Sequence, residues 1–373
     1  MNVRIAIVTE SFPPDVNGVA HSTLRIAEHL VARGHQPLVI APAPAKTTPG
    51  AAGPFPCQVI RLRSVPVPQY RNFRISAPGP GLRAAVAGHR ADLVHLASPF
   101  VLGSGRARLP TVAVYQTDMP GYARVYRTGP LGEAAAWAWV RRIHNAADRT
   151  LVPSMASADD LRAHGVERVW VWSRGVDTRL FDPAKRSERL RRELAPGGEV
   201  LVGYVGRLAP EKRVDLLGQV ATLPGARLVI VGGGPAEAAL RRALPAALFL
   251  GPKYGAELAE IYASFDIFVH SGARETFGQT LQEAGASGLP VVAPAAGGPL
   301  DIVSDGVTGF LVPPDAAAPL AEAVSKLAGD PVLRAAMGRA GRRKVLGRTW
   351  PAFGDELIVH YTEILRDRGK AAR

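Results

Sequence analysis

Two carboxylates, Glu275 and Glu283, stand eight residues apart in Ala273-Arg-Glu-Thr-Phe-Gly-Gln-Thr-Leu-Gln-Glu283. Residues 266–270 before them form an apolar run that reads as a strand, and residues 276–287 read as a helix that stops at Gly288 and Pro290. At about 1.5 Å rise per residue, the helix would separate the two carboxylates by roughly 12 Å along its axis. Acid/base pairs that flank one bond need about 5–10 Å. The longer spacing suits two acceptors gripping opposite ends of one polyhydroxylated ligand, with helix N-terminal amides between them to take an anion.

Positive charge to match that anion comes from Gly206-Arg-Leu-Ala-Pro-Glu-Lys212, which follows a strand and opens a predicted helix over 211–222. Arg207 can bond two phosphate oxygens in a fork, and Lys212 acts as a point charge. Asn17-Gly18-Val19 opens the first helix, where glycine lets backbone amides approach a phosphate. Val231-Gly-Gly-Gly-Pro235 lacks the third glycine of a dinucleotide fingerprint and reads as a tight turn. The chain has no Asp-x-Asp, so no carboxylate pair is set to hold a divalent metal on a diphosphate. Neither metal nor cofactor is expected; cations and amides must neutralise the ligand. His21 and His144 are isolated and read as structural or surface residues.

These residues need a scaffold. The 373-residue chain is long enough for two domains. Strands are predicted at 4–9, 37–41, 59–62, 93–96, 111–115, 150–152 and 169–172, with helices between them, the longest over 131–147. A second series follows, with strands at 200–206, 227–231, 247–250, 267–270, 291–293 and 309–312. Strands alternating with helices predict parallel sheets, so the fold class is α/β, with two doubly wound domains and ligands at the carboxyl ends of strands. A cleft between the domains is the expected place for binding. The boundaries fall at 1–173 plus 352–373 for the first domain and 174–351 for the second. Residues 42–56, rich in proline and glycine, read as a mobile loop, and residues 182–198 as surface or linker.

The net charge of +13 is uneven, with 19 Lys and Arg against 10 Asp and Glu in residues 1–173. That excess suggests an anionic partner, whether nucleic acid, an acidic membrane surface or a phosphorylated substrate. No zinc-finger, basic-zipper or ribonucleoprotein signature is present, so nucleic acid is not expected. Arg61, Arg63, Arg71 and Arg74 interleave with Val65, Val67, Tyr70 and Phe73, a segment suited to meeting an anionic membrane surface. A single cysteine, Cys57, excludes an intrachain disulfide and fits a reducing compartment. No apolar run nears the roughly 20 residues needed to span a bilayer. The expected location is cytoplasmic, with peripheral contact at the inner face of the membrane.

In order and spacing, these motifs resemble the family 4 retaining glycosyltransferases of the GT-B type, whose two Rossmann-like domains face a cleft. The resemblance rests on the Phe12, Gly18, Val19 opening, Gly206-Arg-Leu-x-x-Glu-Lys212, the Glu275/Glu283 pair and Asp305-Gly-Val-Thr-Gly-Phe-Leu-Val312. The wording of Glu275-Thr-Phe-Gly-Gln-Thr-Leu-Gln-Glu283, Tyr115-Gln-Thr-Asp118 and Gly297-Gly-Pro-Leu-Asp301 is most similar to the actinobacterial GDP-mannose-dependent α-mannosyltransferases, which act on glycolipids. It implies that Arg207 and Lys212 bind the donor diphosphate and that Gly18 adds an amide to the same phosphate. It also implies that Glu275 accepts from hexose hydroxyls, Glu283 accepts from ribose hydroxyls, and Phe277 and Gly278 offer backbone amides. Arg207, Lys212 and Glu275 would then be catalytic, with the donor phosphate itself taking the acceptor proton. Many members carry histidine where this chain has Gln116; Gln116 and Asp118 become acceptor-side candidates, and the returning C-terminal helix over 352–366 would join the first domain. Two other readings stay open, a UDP-sugar-dependent transferase acting on a soluble metabolite and a non-catalytic nucleotide-sugar-binding protein.

Overall fold

β1 (Arg4–Thr9) is buried along all but its first residue, because a parallel strand covered on both faces must be apolar throughout. Among the described residues it lies inside a seven-stranded sheet with β2 (Gln36–Pro42), β3 (Gln58–Leu62), β6 (Leu93–Ala97), β7 (Thr111–Val114), β8 (Arg149–Val152) and β9 (Val169–Val171). All pairs are parallel, in the order β3-β2-β1-β6-β7-β8-β9. The remaining strands of the first half, β4 (Val65–Val67) and β5 (Tyr70–Ile75), form a separate antiparallel hairpin. The basic segment is therefore a hairpin, in which Arg74 donates to Ser64 and to the Ala43 carbonyl.

A second sheet runs in the order β12-β11-β10-β13-β14-β15, again all parallel. Its strands are β10 (Val200–Val205), β11 (Ala226–Val231), β12 (Leu248–Gly251), β13 (Ile267–Val269), β14 (Val291–Pro294) and β15 (Gly309–Val312). This computed structural model describes residues 2–15, 17–44, 54–67, 70–102, 109–121 and 129–371. Part of the predicted 42–56 loop lies outside them. The chain divides into two compact units. One holds Met1–Pro153, Ser157–Ser173 and Pro351–Arg373; the other holds Ser154–Ala156 and Arg174–Trp350.

Both sheets are doubly wound, as the alternation of strands and helices predicts. In each, the winding reverses at the central pair, β1 with β6 and β10 with β13, and the crevice beyond the carboxyl ends of such a pair is where doubly wound sheets bind ligands. In the first unit the Trp350–Ala371 helix docks by stacking Phe353 on Trp172 at 3.9 Å and by a bond from the Tyr361 hydroxyl to the buried His95 ring at 2.8 Å.

Three local predictions need correction. Residues 182–198 are surface for most of their length, as expected, but not a linker: Arg186 and Arg191 clamp Asp266 at 3.1 and 2.9 Å, and Leu194 is buried in the core of the second unit. Residues 211–222 do not form one helix. Arg213 adopts a left-handed conformation (φ 47°), which splits the segment into short 3-10 turns at Pro210–Lys212 and Val214–Leu217, followed by a single α-turn. The helix predicted over 276–287 spans Gln279–Ala286, because Gly278 sits at φ 101° and interrupts helical geometry. Glu275 thus lies in a loop, and a separation measured along a helix axis does not apply to the two carboxylates.

Candidate active site

β10 leads straight into the turn that carries Arg207 and Lys212. The strand lies tight against its neighbours: a Cβ on Gly203 would fall 2.1 Å from the Phe265 ring. The turn then rests on the glycine run after β11. Gly206 N–H donates to the Val231 carbonyl and Leu208 N–H to the Gly233 carbonyl, each at 3.0 Å. Side chains on Gly232 or Gly234 would strike the Gly206 or Leu208 carbonyl, at 1.9 and 2.3 Å. The three glycines are therefore a platform for the cation-bearing turn. Within that turn the Arg207 guanidinium bonds Glu211, whose side chain is only 4% exposed.

The second wall follows β13. Ser271 Oγ donates to the Lys212 carbonyl at 2.9 Å, which ties the end of that strand to the cation turn. Lys212 Nζ reaches across to Glu275 Oε2 at 2.7 Å. Burial pushes the Glu275 carboxyl pKa up, but the Lys212 charge and hydrogen bonds from Lys212 and the Phe277 N–H outweigh it and hold the group at about 2. The Phe277 amide is therefore engaged by Glu275, and its ring is in the core with the Arg174 guanidinium 5.9 Å from its centroid. Gly298 N–H donates to the Glu275 carbonyl at 2.7 Å, and a Cβ on Gly298 would lie 2.0 Å from the Phe277 carbonyl. The Gly297-Gly298 pair thus fixes the loop from behind.

Glu283 projects from the Gln279–Ala286 helix and accepts from the Tyr262 hydroxyl at 3.0 Å. Burial raises its pKa to about 7, against the lowering effect of hydrogen bonds from Tyr262 and Gln279. Arg207, Lys212, Glu275, Phe277, Gly278 and Glu283 all belong to the second unit. Around them stand four residues that motif reading passed over: Arg174, Glu211, Tyr262 and His270. Only Glu211 lies inside a quoted motif; the other three have no sequence spacing that announces them.

Gly18, Gln116 and Asp118 belong to the first unit. Gly18 begins the Gly18–Ala32 helix, and the Asn17 side chain takes the amides of Val19 and Ala20. Gln116 Oε1 accepts from the buried Ser22 hydroxyl at 3.0 Å. Asp118 accepts from Tyr115 at 3.2 Å and from the Gly121 N–H at 2.8 Å, so one of its oxygens stabilises its own turn. His144 is buried against Thr150, with burial pulling its pKa to about 4, and His21 is exposed. Among the described residues no group of three or more His, Cys, Asp or Glu side chains is placed to hold a metal ion.

Residues 16–180 match the family described as glycosyltransferase family 4, and residues 185–344 match glycosyl transferases group 1. A GDP-mannose-dependent alpha-mannosyltransferase of Mycobacterium tuberculosis is 48% identical over 98% of this chain and 98% of its own. The chain belongs to glycosyltransferase family 4. A second protein of the same description, from Mycolicibacterium smegmatis, is 46% identical over 99% of this chain and 100% of its own. The sulfoquinovosyl transferase SQD2 of Arabidopsis thaliana is 34% identical over 94% of this chain and 71% of its own. Sucrose-phosphate synthase from Thermosynechococcus elongatus superposes with a TM-score of 0.80 at 21% identity, covering 98% of this chain and all of that one. This likeness and the two Rossmann-like sheets establish the GT-B fold for this family 4 glycosyltransferase. No helix among its described residues is long and apolar enough to cross a membrane.

Proposed function

We propose that this glycosyltransferase moves mannose from GDP-mannose, with retention, to a hydroxyl of a glycolipid or lipid-linked acceptor. The observation that carries the donor reading is the Lys212–Glu275 contact at 2.7 Å, which joins a phosphate-type cation to a hydroxyl-accepting carboxylate at the β10/β13 switch point. The near-full-length likeness to proteins described as GDP-mannose-dependent supports the choice of base and sugar.

In this reading Arg207 and Lys212 neutralise the diphosphate, Gly18 adds an amide to it, Glu275 and the Gly278 amide orient the hexose while the Phe277 amide holds Glu275, and Glu283 accepts from the ribose. The acceptor oxygen attacks the anomeric carbon as its bond to the donor phosphate breaks. The acceptor proton passes to that phosphate, and the fixed cations stabilise the negative charge left on the diphosphate. A carboxylate near the oxocarbenium-like sugar favours the same transition state. Gln116 cannot take a proton; held by Ser22, its amide would orient an acceptor hydroxyl. The reaction needs no metal on this account, so activity should survive exhaustive chelation.

Peripheral contact with an anionic membrane is part of the proposal. Arg61 bonds the Pro13 and Pro42 carbonyls and Arg74 braces the hairpin, so attraction would come from the wider basic excess of residues 1–173. Salt-sensitive co-sedimentation with anionic liposomes tests this. A donor screen against a total lipid extract, read by product mass, tests the whole reading: mannose on a lipid from GDP-mannose is expected, and transfer only from a UDP-sugar would overturn it.

A further inference from the structure

Neither buried ring nitrogen of His270 makes a hydrogen bond of normal geometry among the described residues, and the Gly272 backbone offers only a looser contact. Such orphans are rare, because a buried nitrogen that loses water and gains no partner destabilises the fold. His270 follows β13 directly, is 2% exposed, and lies parallel to the Tyr204 ring of β10, with centroids 6.4 Å apart. Its Nε2 is 3.9 Å from Glu275 Oε2, the oxygen already bonded to Lys212 Nζ at 2.7 Å. The charged and titratable groups around the ring are Glu275 on its loop, Lys212 on the 3-10 turn and Tyr204 beneath, with the Gly272 backbone alongside. Burial holds the imidazole neutral, with a pKa of about 4. A neutral ring still donates one N–H.

The inference rests on the donor-site reading. If Lys212 serves a diphosphate, it must loosen its hold on Glu275, and a buried carboxylate left alone would no longer be favoured as the anion. We propose that His270 is a positioning residue that takes over Glu275 from Lys212: as the diphosphate draws the ammonium away, Nε2–H closes the gap and donates to Glu275 Oε2. No covalent bond changes and no proton is transferred. The ring supplies the hydrogen bond that keeps Glu275 ionised and aimed, and Lys212 is free to face the phosphates. With the single N–H of the neutral ring on Nε2, this accounts for an imidazole held only loosely by the Gly272 backbone beside a carboxylate that already has a partner.

The test compares GDP with GMP, which differ by the phosphate that would recruit Lys212. Calorimetric titration is run on the full chain as wild type, His270→Leu and His270→Gln. Leucine fills the space without a donor, whereas the glutamine amide can donate from about the Nε2 position. His270→Leu should bind GDP about 10-fold more weakly, the scale of one hydrogen bond to a charged group, while its GMP affinity stays within about twofold of wild type. His270→Gln should recover most of the loss. Wild-type GDP affinity in a folded His270→Leu, equal losses for both nucleotides, or a glutamine variant as impaired as leucine would each overturn the proposal. Wild type that binds neither nucleotide would overturn the donor-site reading, and this inference with it. If the leucine variant does not fold, wild-type protein labelled with 15N-histidine decides the matter. One buried ring should gain a hydrogen-bonded Nε2–H signal with GDP but not with GMP, and histidine signals that ignore GDP would overturn the proposal.

Discussion

The two sheets share one winding pattern, but their switch points carry different electrostatics. In the second unit, two cations and two carboxylates converge where β10 and β13 end, paired as Arg207 with Glu211 and Lys212 with Glu275. In the first unit, the carboxylate at the corresponding place is Glu10, and one of its oxygens takes the amides of Phe100, Val101 and Leu102. The same unit also holds two neutral pairs, Ser22 with Gln116 and Ser98 with Thr117. Fixed charge suits a ligand that carries a diphosphate and gathers more negative charge there as it reacts. Neutral hydrogen-bonding groups suit a hydroxyl that must be oriented without being ionised. On the proposed reading, the same scaffold would serve donor or acceptor chemistry according to the side chains set at the ends of its central strands.

The largest expected effect sharpens that contrast. Lys212→Ala should lower kcat/KM for the donor about 10²–10³-fold, the scale of removing a preorganised electrostatic contact, in a protein that still folds but melts lower because Glu275 loses its partner. Steady-state kinetics beside a thermal melt would show it, and near-normal turnover would end the charged-site account. Glu211→Gln comes next. Loss of the buried charge that holds Arg207 should raise donor KM about 10-fold, the scale of one charge-assisted hydrogen bond, and leave acceptor KM unchanged. An equal rise in both constants would point to a general folding defect.

Gln116→Ala should reverse that pattern, raising acceptor KM about fivefold while donor KM holds, as expected for one neutral hydrogen bond. A donor effect from this substitution would blur the division between the two units. The smallest effect is a pH dependence. Glu283 ionises at about 7 in the fold and near 4.5 in an unfolded chain, so burial favours its neutral form. The resulting cost to stability is absent below about pH 4.5, grows as pH rises and is complete above about 7. Donor binding runs the other way, since the anion is the better acceptor for ribose hydroxyls. Donor KM should fall severalfold from pH 6 to pH 8 in wild type, and Glu283→Gln should flatten both this trend and the thermal one.

The fold was largely legible because it is written in strongly periodic segments. Buried parallel strands such as Arg4–Thr9 and Val200–Val205 are continuous apolar runs, and alternation with helices leaves few topologies. The clustering of the candidate residues was legible in part: Arg207, Lys212, Glu275 and Glu283 all lie in the second unit, and Lys212 meets Glu275 at 2.7 Å. Local geometry was less so. That Gly278 would interrupt the helix, or Arg213 turn left-handed, depends on how their loops pack and not on residue type alone. His270 and Tyr262 were hidden for another reason. Both come from elements that read as core, and only the tertiary structure sets their polar atoms beside Glu275 and Glu283.

The most direct test of the donor site is calorimetric titration of GDP and UDP into wild type and Lys212→Met. The account predicts that wild type binds GDP more tightly than UDP, and that the substitution weakens GDP at least 10-fold through loss of one charge-assisted phosphate contact. Equal affinity for the two nucleotides, or GDP binding untouched by the substitution, would contradict it.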